Sequence, residues 1–271
     1  MKFGLISVDF RRLPLLKCFE TAKKYNFRAV ELWGGRPHAY PPDMGKDEIK
    51  TILRYKQEFQ LETPMYTPNV LGLPLNLCSQ SVVERTEGMN YHKLAIDVAA
   101  SLEIPKMLVV ADHPGLDADV YEIRKIFTDE IDQLVHYGEK KGVIICVEPM
   151  TPMESPVITS SWDCLNLMHE IPSPNLNFVL DIIPPTVISE PISNYFTLLG
   201  KRASHVHIAN SNGKTDAHLQ LDQGCINISD ILQIIQNHGY DQYVIVELYS
   251  ISINDPEMAI ANAARTLSLC S

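Results

Sequence analysis

Short apolar runs recur along the whole chain and alternate with longer amphipathic segments. Each run has the length and the Val, Ile and Leu content of a β-strand. Because the runs are almost continuously apolar, they indicate a parallel sheet that is buried on both faces. The predicted strands are 3–8, 28–33, 61–67, 106–111, 143–148, 176–181, 204–209 and 243–248.

Between the runs, apolar residues recur every three or four positions, as on one face of a helix. The clearest example is 120–142, where Ile123, Phe127, Ile131 and Leu134 form one stripe. Further helices are predicted at 14–25 and 83–103, with shorter ones near 160–170, 190–200, 227–238 and 255–268.

Eight strands alternating with about eight helices predict a (β/α)8 TIM barrel. The length of 271 residues is close to the size of about 250 residues that is typical of this fold. A doubly wound open sheet is the alternative, but no GxGxxG or P-loop motif supports it. The chain has no evident linker, low-complexity tract or repeat, so we expect 1–271 to form a single TIM-barrel domain.

Composition narrows the class of protein. A net charge of −10 argues against a nucleic-acid partner, because phosphate binding needs clustered Lys and Arg. No apolar run approaches the roughly 18 residues of a membrane span, and the N-terminus reads as a strand without a cleavage site. The six cysteines are scattered without a CxxC pair, which disfavours a disulfide scaffold. These features predict a cytoplasmic protein without a membrane partner.

Four predicted strands in succession end in a polar residue: Glu148, Asp181, His207 and Glu247. Catalytic groups of TIM barrels lie at the C-terminal strand ends, so these side chains should converge at the barrel mouth. Solubility could explain one such residue, but a series on buried strands favours a site, since a buried charge needs a partner. Three carboxylates and one imidazole suit Mn²⁺, Co²⁺, Ni²⁺ or Mg²⁺ better than a structural zinc ion. His205 should lie one layer deeper and act structurally.

Several unusual strings carry a family resemblance: 32-LWGGRPHAY-40, 66-YTPN-69, 147-VEPMTPMES-155, 171-IPSP-174, 190-EPISNYF-196, 205-HVHIANSNG-213 and 246-VEL-248. With them the chain resembles the xylose-isomerase-like superfamily of sugar isomerases and epimerases over essentially its whole length. Within it, the chain is most similar to the branch of 3-epimerases that acts on fructosamines such as fructoselysine. The resemblance implies one divalent metal ion held by the same four residues.

The resemblance further implies a ketose 3-epimerase that interconverts fructoselysine and psicoselysine. One base removes the C3 proton and an acid returns it on the opposite face, through an enediolate that the metal stabilises. Glu148 and Glu247 are implied as this catalytic pair, and Asp181 and His207 as the remaining metal ligands. Family members are often dimers or tetramers, so a homo-oligomer is expected.

Substrate contacts are expected on the loops that follow the strands. The resemblance implies that Glu154 contacts substrate hydroxyls. Trp33 could stack on a sugar face and Arg36 could meet a substrate carboxylate, unless they pack under a loop and pair with a local acid. Further hydrogen-bonding candidates are His113, His218 and Tyr66.

Departures from the related enzymes concern the substrate side. Free-ketose 3-epimerases have a His and an Arg where this chain has Pro184 and Gly213, which argues against a free ketose. Compared with the fructosamine branch, Asn210 and Asn212 replace acidic residues, and 221-LDQG-224 replaces a Pro-Gly-Glu-Gly loop. The exact substrate and the physiological metal therefore remain open.

Three alternatives stand beside the fructosamine hypothesis. An epimerase or isomerase of a free or phosphorylated ketose is the first, but Lys214 is the only basic residue near the expected phosphate position. An apurinic endonuclease would need more metal ligands and a DNA-binding surface, against the charge of −10. A non-catalytic sugar-binding protein is disfavoured by the complete ligand set.

Overall fold

The structure is a computed structural model that describes residues 1–249 and 254–270. Its parallel strands pair in chain order, and β8 pairs with β1 to close a barrel. The strands are β1 (Lys2–Ile6), β2 (Ala29–Gly34), β3 (Tyr66–Pro68), β4 (Lys106–Val110), β5 (Ile144–Glu148), β6 (Leu176–Asp181), β7 (Ala203–Ile208) and β8 (Tyr243–Val246). The predicted TIM barrel is confirmed.

Helices connect the strands around the outside of the barrel. They are α1 (Leu15–Lys24), α2 (Lys46–Phe59), α3 (Val82–Ser101), α4 (Val120–Lys141), α5 (Ser161–Glu170), α6 (Ile183–Val187), α7 (Ser193–Leu199), α8 (Ile228–Asn237) and α9 (Pro256–Leu269). Local sequence sets several ends: the side chain of Asp119 caps the start of α4, and Gly142 ends it in the left-handed conformation. The apolar stripe predicted for 120–142 is buried.

The third strand is shorter than its apolar run predicts. Strand β3 covers only Tyr66–Pro68 instead of 61–67, and Glu62 makes just an isolated bridge to Ala29. Pro64 precedes the strand and Pro68 is its last residue, and neither has an N–H to donate, which limits the length of the ladder.

Helix α2 was absent from the sequence-based prediction. Its sequence is mostly polar, and Ile52 is its one buried residue. The short α6 was also missed, because Pro184 and Pro185 at its start resemble a loop sequence rather than a helix. The two misses have different causes: α6 is a short proline-rich turn, whereas Ile49, Ile52, Leu53 and Phe59 give α2 only a narrow apolar face within a mostly charged segment.

The barrel interior combines an apolar layer with a polar one. Residues two apart on a strand share a face. Asp181 therefore faces the same side of β6 as Val179, and His207 the same side of β7 as His205. Val179 and His205 pair with each other across the two strands and are fully buried. This places the strand-end ligands directly above the packed barrel interior. Among the described residues, no helix is long and apolar enough to cross a membrane.

Candidate metal and substrate site at the barrel mouth

The four strand-end residues meet at one place. Nδ1 of His207 lies 2.8 Å from Oε1 of Glu148 and 3.0 Å from Oε2 of Glu247. Asp181 pairs with His207 in the β6–β7 register, and its Oδ1 accepts a hydrogen bond of 3.0 Å from the Ile183 backbone N–H. A carboxylate oxygen of Asp181 also lies within 4.8 Å of one from Glu247. The structure thus brings the predicted ligands together.

Glu31 is a residue of this site that the sequence-based prediction missed. It belongs to β2 and is fully buried. Its carboxylate lies on the Nε2 side of His207, at 3.1 and 3.2 Å, and 2.6 Å from Nε2 of His205. The sequence does carry a signal for Glu31: it is a single carboxylate in the middle of an apolar strand, and a buried carboxylate needs a partner.

The charges of these groups perturb one another. Burial, with smaller contributions from the nearby Glu247 and Asp181 carboxylates, raises the pKa of Glu148 to about 8 against the opposing effect of His207. Burial would lower the pKa of His207, but Glu31, Glu247 and Glu148 together raise it. Carboxylates therefore dominate the site, and a cation would relieve their mutual repulsion.

Unsatisfied atoms at this point fit a metal ion. Nδ1 of His207 and Oε1 of Glu148 are buried and face each other at 2.8 Å, without the alignment of a satisfied hydrogen bond. Buried polar atoms are normally paired, so such atoms aimed at one point indicate a ligand. Oxygen and imidazole nitrogen donors without thiolates suit Mn²⁺, Co²⁺, Ni²⁺ or Mg²⁺. Glu148, His207 and Glu247 could hold an ion, with Asp181 adjacent.

A loop histidine reaches the same place. Nε2 of His218 lies 3.4 Å from Oδ2 of Asp181, and its Nδ1 lies 3.7 Å from Oδ1 of Asp216. Burial alone would lower the pKa of His218, but Asp181, Glu247 and Asp216 raise it to about 10. His218 therefore carries a positive charge near neutral pH, placed among carboxylates.

A cavity opens above these residues and encloses about 860 Å³, including its open side. Trp33, Glu154 and His218 line it, as the sequence predicted for substrate contacts. Asp216 and Tyr249 also line it and were not predicted. Among the described residues of the lining, none is Lys or Arg.

Glu154 is held at the rim of the cavity by its own loop. Its Oε2 accepts hydrogen bonds from the backbone N–H of Thr151 at 3.1 Å and from the Thr151 hydroxyl at 2.8 Å. Burial and the neighbouring charge of Asp216 raise the pKa of Glu154 to about 7. The Glu154–Asp216 pair can therefore take up or release a proton near neutral pH.

Three predicted substrate contacts lie outside the cavity lining. Arg36 forms two hydrogen bonds with Asp43, of 2.5 and 2.7 Å, and its side chain is largely exposed. The Tyr66 hydroxyl is buried and donates to the Ala39 carbonyl at 2.5 Å. Nδ1 of His113 accepts from the Gly115 backbone N–H at 3.0 Å. In this conformation each of these side chains supports its local loop.

The chain matches a known protein family over most of its length. The family model of the xylose isomerase-like TIM barrel matches residues 19–269. The chain belongs to this family. Fructoselysine 3-epimerase of Shigella flexneri is 33% identical over 258 residues, which cover 95% of this chain and 94% of that protein. The protein of the same name from Escherichia coli O157:H7 matches to the same extent. The resemblance inferred from the sequence motifs is confirmed.

Solved structures of xylose isomerase-like barrels show the same fold. A D-tagatose 3-epimerase-like protein superposes with a TM-score of 0.83 at 23% identity, over 100% of this chain and 98% of that one. A protein called IOLI, solved with a zinc atom, has a TM-score of 0.84 at 19% identity over the same shares.

Within this xylose isomerase-like barrel, the departures after His207 have a structural explanation. The side chain of Asn210 donates to the carbonyls of Leu221 and Ile226, at 2.9 and 3.0 Å. A Cβ at Gly224, whose φ is +141°, would lie 2.3 Å from Oδ1 of Asn210, so this loop requires glycine. Asn212 accepts from the backbone N–H groups of Lys214 and Thr215, both at 2.9 Å. Both asparagines therefore hold the loop that carries Asp216 and His218.

Proposed function

We propose that the protein is a divalent-metal-dependent ketose 3-epimerase that acts on a fructosamine such as fructoselysine and forms psicoselysine. The observation that carries this proposal is the meeting of Glu148, Asp181, His207 and Glu247 beneath one open cavity. The curated relatives that match nearly the full chain are named as 3-epimerases, which confirms the predicted enzyme class.

The metal would be held by Glu148, Asp181, His207 and Glu247. The zinc atom in the similarly folded IOLI structure supports an ion in this type of barrel. The bound cation would polarise the substrate carbonyl and stabilise the negative charge that develops when the C3 proton leaves.

Glu148 and Glu247 would exchange the proton at C3. Glu148 ends β5 and Glu247 directly follows β8, three strands apart around the closed barrel, so they can approach a substrate from two directions. One carboxylate removes the proton and the other carboxyl returns it on the opposite face. In the metal-free protein, burial raises the pKa of Glu148 to about 8.

The charge of the cavity favours an aminated substrate. Its described lining contains five carboxylates and neither Lys nor Arg: Glu148, Glu154, Asp181, Asp216 and Glu247. Such a lining attracts the ammonium group on C1 of a fructosamine and repels a phosphate. Glu154 and Asp216 would accept hydrogen bonds from the substrate, and Trp33 would pack against the sugar. The phosphorylated-ketose alternative is disfavoured for the same reason.

Initial rates on a matched series of ketoses test this assignment. With Mn²⁺ or Co²⁺ added, kcat/KM should be highest for fructoselysine, lower for fructose and lowest for fructose 6-phosphate. A higher kcat/KM for fructose 6-phosphate than for fructoselysine would contradict the proposed substrate class.

A further inference from the structure

A buried carboxylate beneath the metal ligands gathers three hydrogen-bond donors. Glu31 has no solvent exposure and lies in the barrel interior. Nε2 of His205 is 2.6 Å from its Oε2, and Nε2 of His207 is 3.1 Å from the same oxygen. The Thr67 hydroxyl donates to Oε1. Glu31 therefore connects β2, β3 and β7 through a single side chain.

The direction of these hydrogen bonds determines the tautomer of His207. An ionised carboxylate only accepts hydrogen bonds, so both imidazoles donate from Nε2. A metal-binding imidazole is neutral and carries one N–H, and because Glu31 holds that N–H on Nε2, Nδ1 of His207 would keep a free lone pair. That atom faces Oε1 of Glu148 and Oε2 of Glu247, at 2.8 and 3.0 Å. Nδ1 of His207 is therefore placed to donate its lone pair to a metal ion.

We propose that Glu31 is a positioning residue that fixes the tautomer and ring orientation of His207, so that Nδ1 is presented to the metal. This inference rests on the metal site of the proposed function. Histidine ligands commonly donate their second N–H to a carboxylate, which orients the ring and strengthens the metal–nitrogen bond. Here the carboxylate comes from β2, a strand that supplies none of the four ligands.

Plain core packing does not account for Glu31. An apolar side chain would fill the same volume without the cost of burying a charge. Its separations of 2.6 and 3.1 Å from the two imidazoles are those of direct hydrogen bonds, and the Thr67 hydroxyl occupies its other oxygen. His205 uses the same carboxylate and lies with its ring edge-on to that of His207, at 5.2 Å between centroids. The arrangement orients a ring rather than holding a second metal.

The Mn²⁺ affinity of the Glu31→Gln variant tests the proposal without a measurement of enzyme activity. The amide replaces one acceptor oxygen with an NH₂ donor and carries no charge, so it cannot accept from Thr67 and both imidazoles together, and the hydrogen bonds that remain are weaker. Titration calorimetry with Mn²⁺ should show one ion per chain for the wild type, and a Kd weaker by about 10- to 100-fold for the variant. Glu62→Gln, the same change at an exposed position, should bind Mn²⁺ like the wild type.

Two outcomes of that titration would overturn the proposal. The first is a Kd for folded Glu31→Gln within twofold of the wild type. The second is two ions per wild-type chain and one per variant chain, which would make Glu31 a ligand of its own metal site.

Nitrogen-15 NMR of histidine-labelled wild-type protein provides the second test and needs no folded variant. In metal-free and Zn²⁺-loaded samples alike, Nε2 of His205 and of His207 should carry a hydrogen. An unprotonated Nε2 on His207 would overturn the proposal. Because the metal-free spectrum reports the hydrogen-bond direction by itself, failure of the metal site and failure of the Glu31 role are distinguishable.

Discussion

Nε2 of His218 lies 3.4 Å from Oδ2 of Asp181, although His218 belongs to the loop after β7 and Asp181 ends β6. The same nitrogen is 3.9 Å from Oε2 of Glu247. A loop thus delivers an imidazole to two of the predicted metal ligands. His218 can act there as a counter-charge, as a substrate contact or as a ligand, and these roles predict different behaviour.

We expect His218→Asn to bind Mn²⁺ more tightly but to turn over more slowly. Loss of the imidazolium frees Asp181 and Glu247 for the metal, and a partly screened charge of this kind changes Kd by about three- to tenfold. The loss of a group that lines the cavity should lower kcat for the fructosamine by at least about tenfold. Calorimetry and steady-state kinetics measure both effects, with His136→Asn on the exposed face of α4 as control. Weaker Mn²⁺ binding would instead make His218 a ligand.

Each of Glu148→Gln and Glu247→Gln should abolish turnover. Loss of a positioned acid or base costs about 10²- to 10⁴-fold, and these residues also belong to the ligand set. Metal content is therefore measured on the same samples, with excess Mn²⁺ restoring occupancy. The matched control is Glu122→Gln, an exposed carboxylate on α4. Near-full activity of either variant would rule out the two-base mechanism.

Asp216→Asn should reduce the preference for aminated substrates. Asp216 lies in the cavity lining, where its charge would attract the ammonium on C1. We expect KM for fructoselysine to rise by about three- to tenfold, in the range of one weakened charged hydrogen bond, while KM for fructose changes little. Parallel kinetics on the two sugars provide the comparison. An equal rise for both would show that Asp216 acts on the site as a whole.

The raised pKa of Glu154 predicts that the stability of the metal-free protein depends on pH. Its pKa is raised from 4.5 to about 7, so the folded state holds a proton that the unfolded state releases between these values. The folded state binds more protons in this window, and the free energy of unfolding must therefore fall as pH rises from 4.5 through 7. In Glu154→Gln this contribution disappears, and it amounts to about 3 kcal/mol, since the pKa rises from 4.5 to about 7 and one pKa unit corresponds to about 1.4 kcal/mol.

Urea unfolding at pH 5 and pH 8, with EDTA present, measures this difference. The loss of stability between the two pH values should be smaller in Glu154→Gln than in the wild type. Glu62→Gln, which changes an exposed carboxylate, should lose as much as the wild type. An unchanged loss in Glu154→Gln would show that Glu154 does not hold the proton.

The strand-end ligands could be predicted because each one ends a nearly continuous apolar run. Parallel strands of a barrel bring such ends to one rim whatever the details of the helices. Glu148, Asp181 and His207 are accordingly the last or nearly the last residues of their strands. Helix α2 could not be found in this way, because most of its surface stays in contact with water.

Contacts between side chains that are distant in sequence could not be predicted from the pattern of apolar and polar residues. Glu31 stands out as a charge on a buried strand, but nothing local shows that its partners are His205 and His207. Arg36 was predicted to contact a substrate carboxylate. In the structure it instead donates a hydrogen bond to Asp43, seven residues further along the chain. Side-chain partners depend on loop conformation, which hydrophobic periodicity does not encode.

Hydrogen exchange at C3 tests the central claim most directly. The metal-depleted protein and the protein reconstituted with Mn²⁺ are each incubated in D₂O with fructoselysine, and the products are separated and examined by NMR. We predict that only the reconstituted enzyme forms psicoselysine, with one deuterium at C3 and none at C4. Deuterium at another carbon, or equal conversion without the metal, would contradict the account.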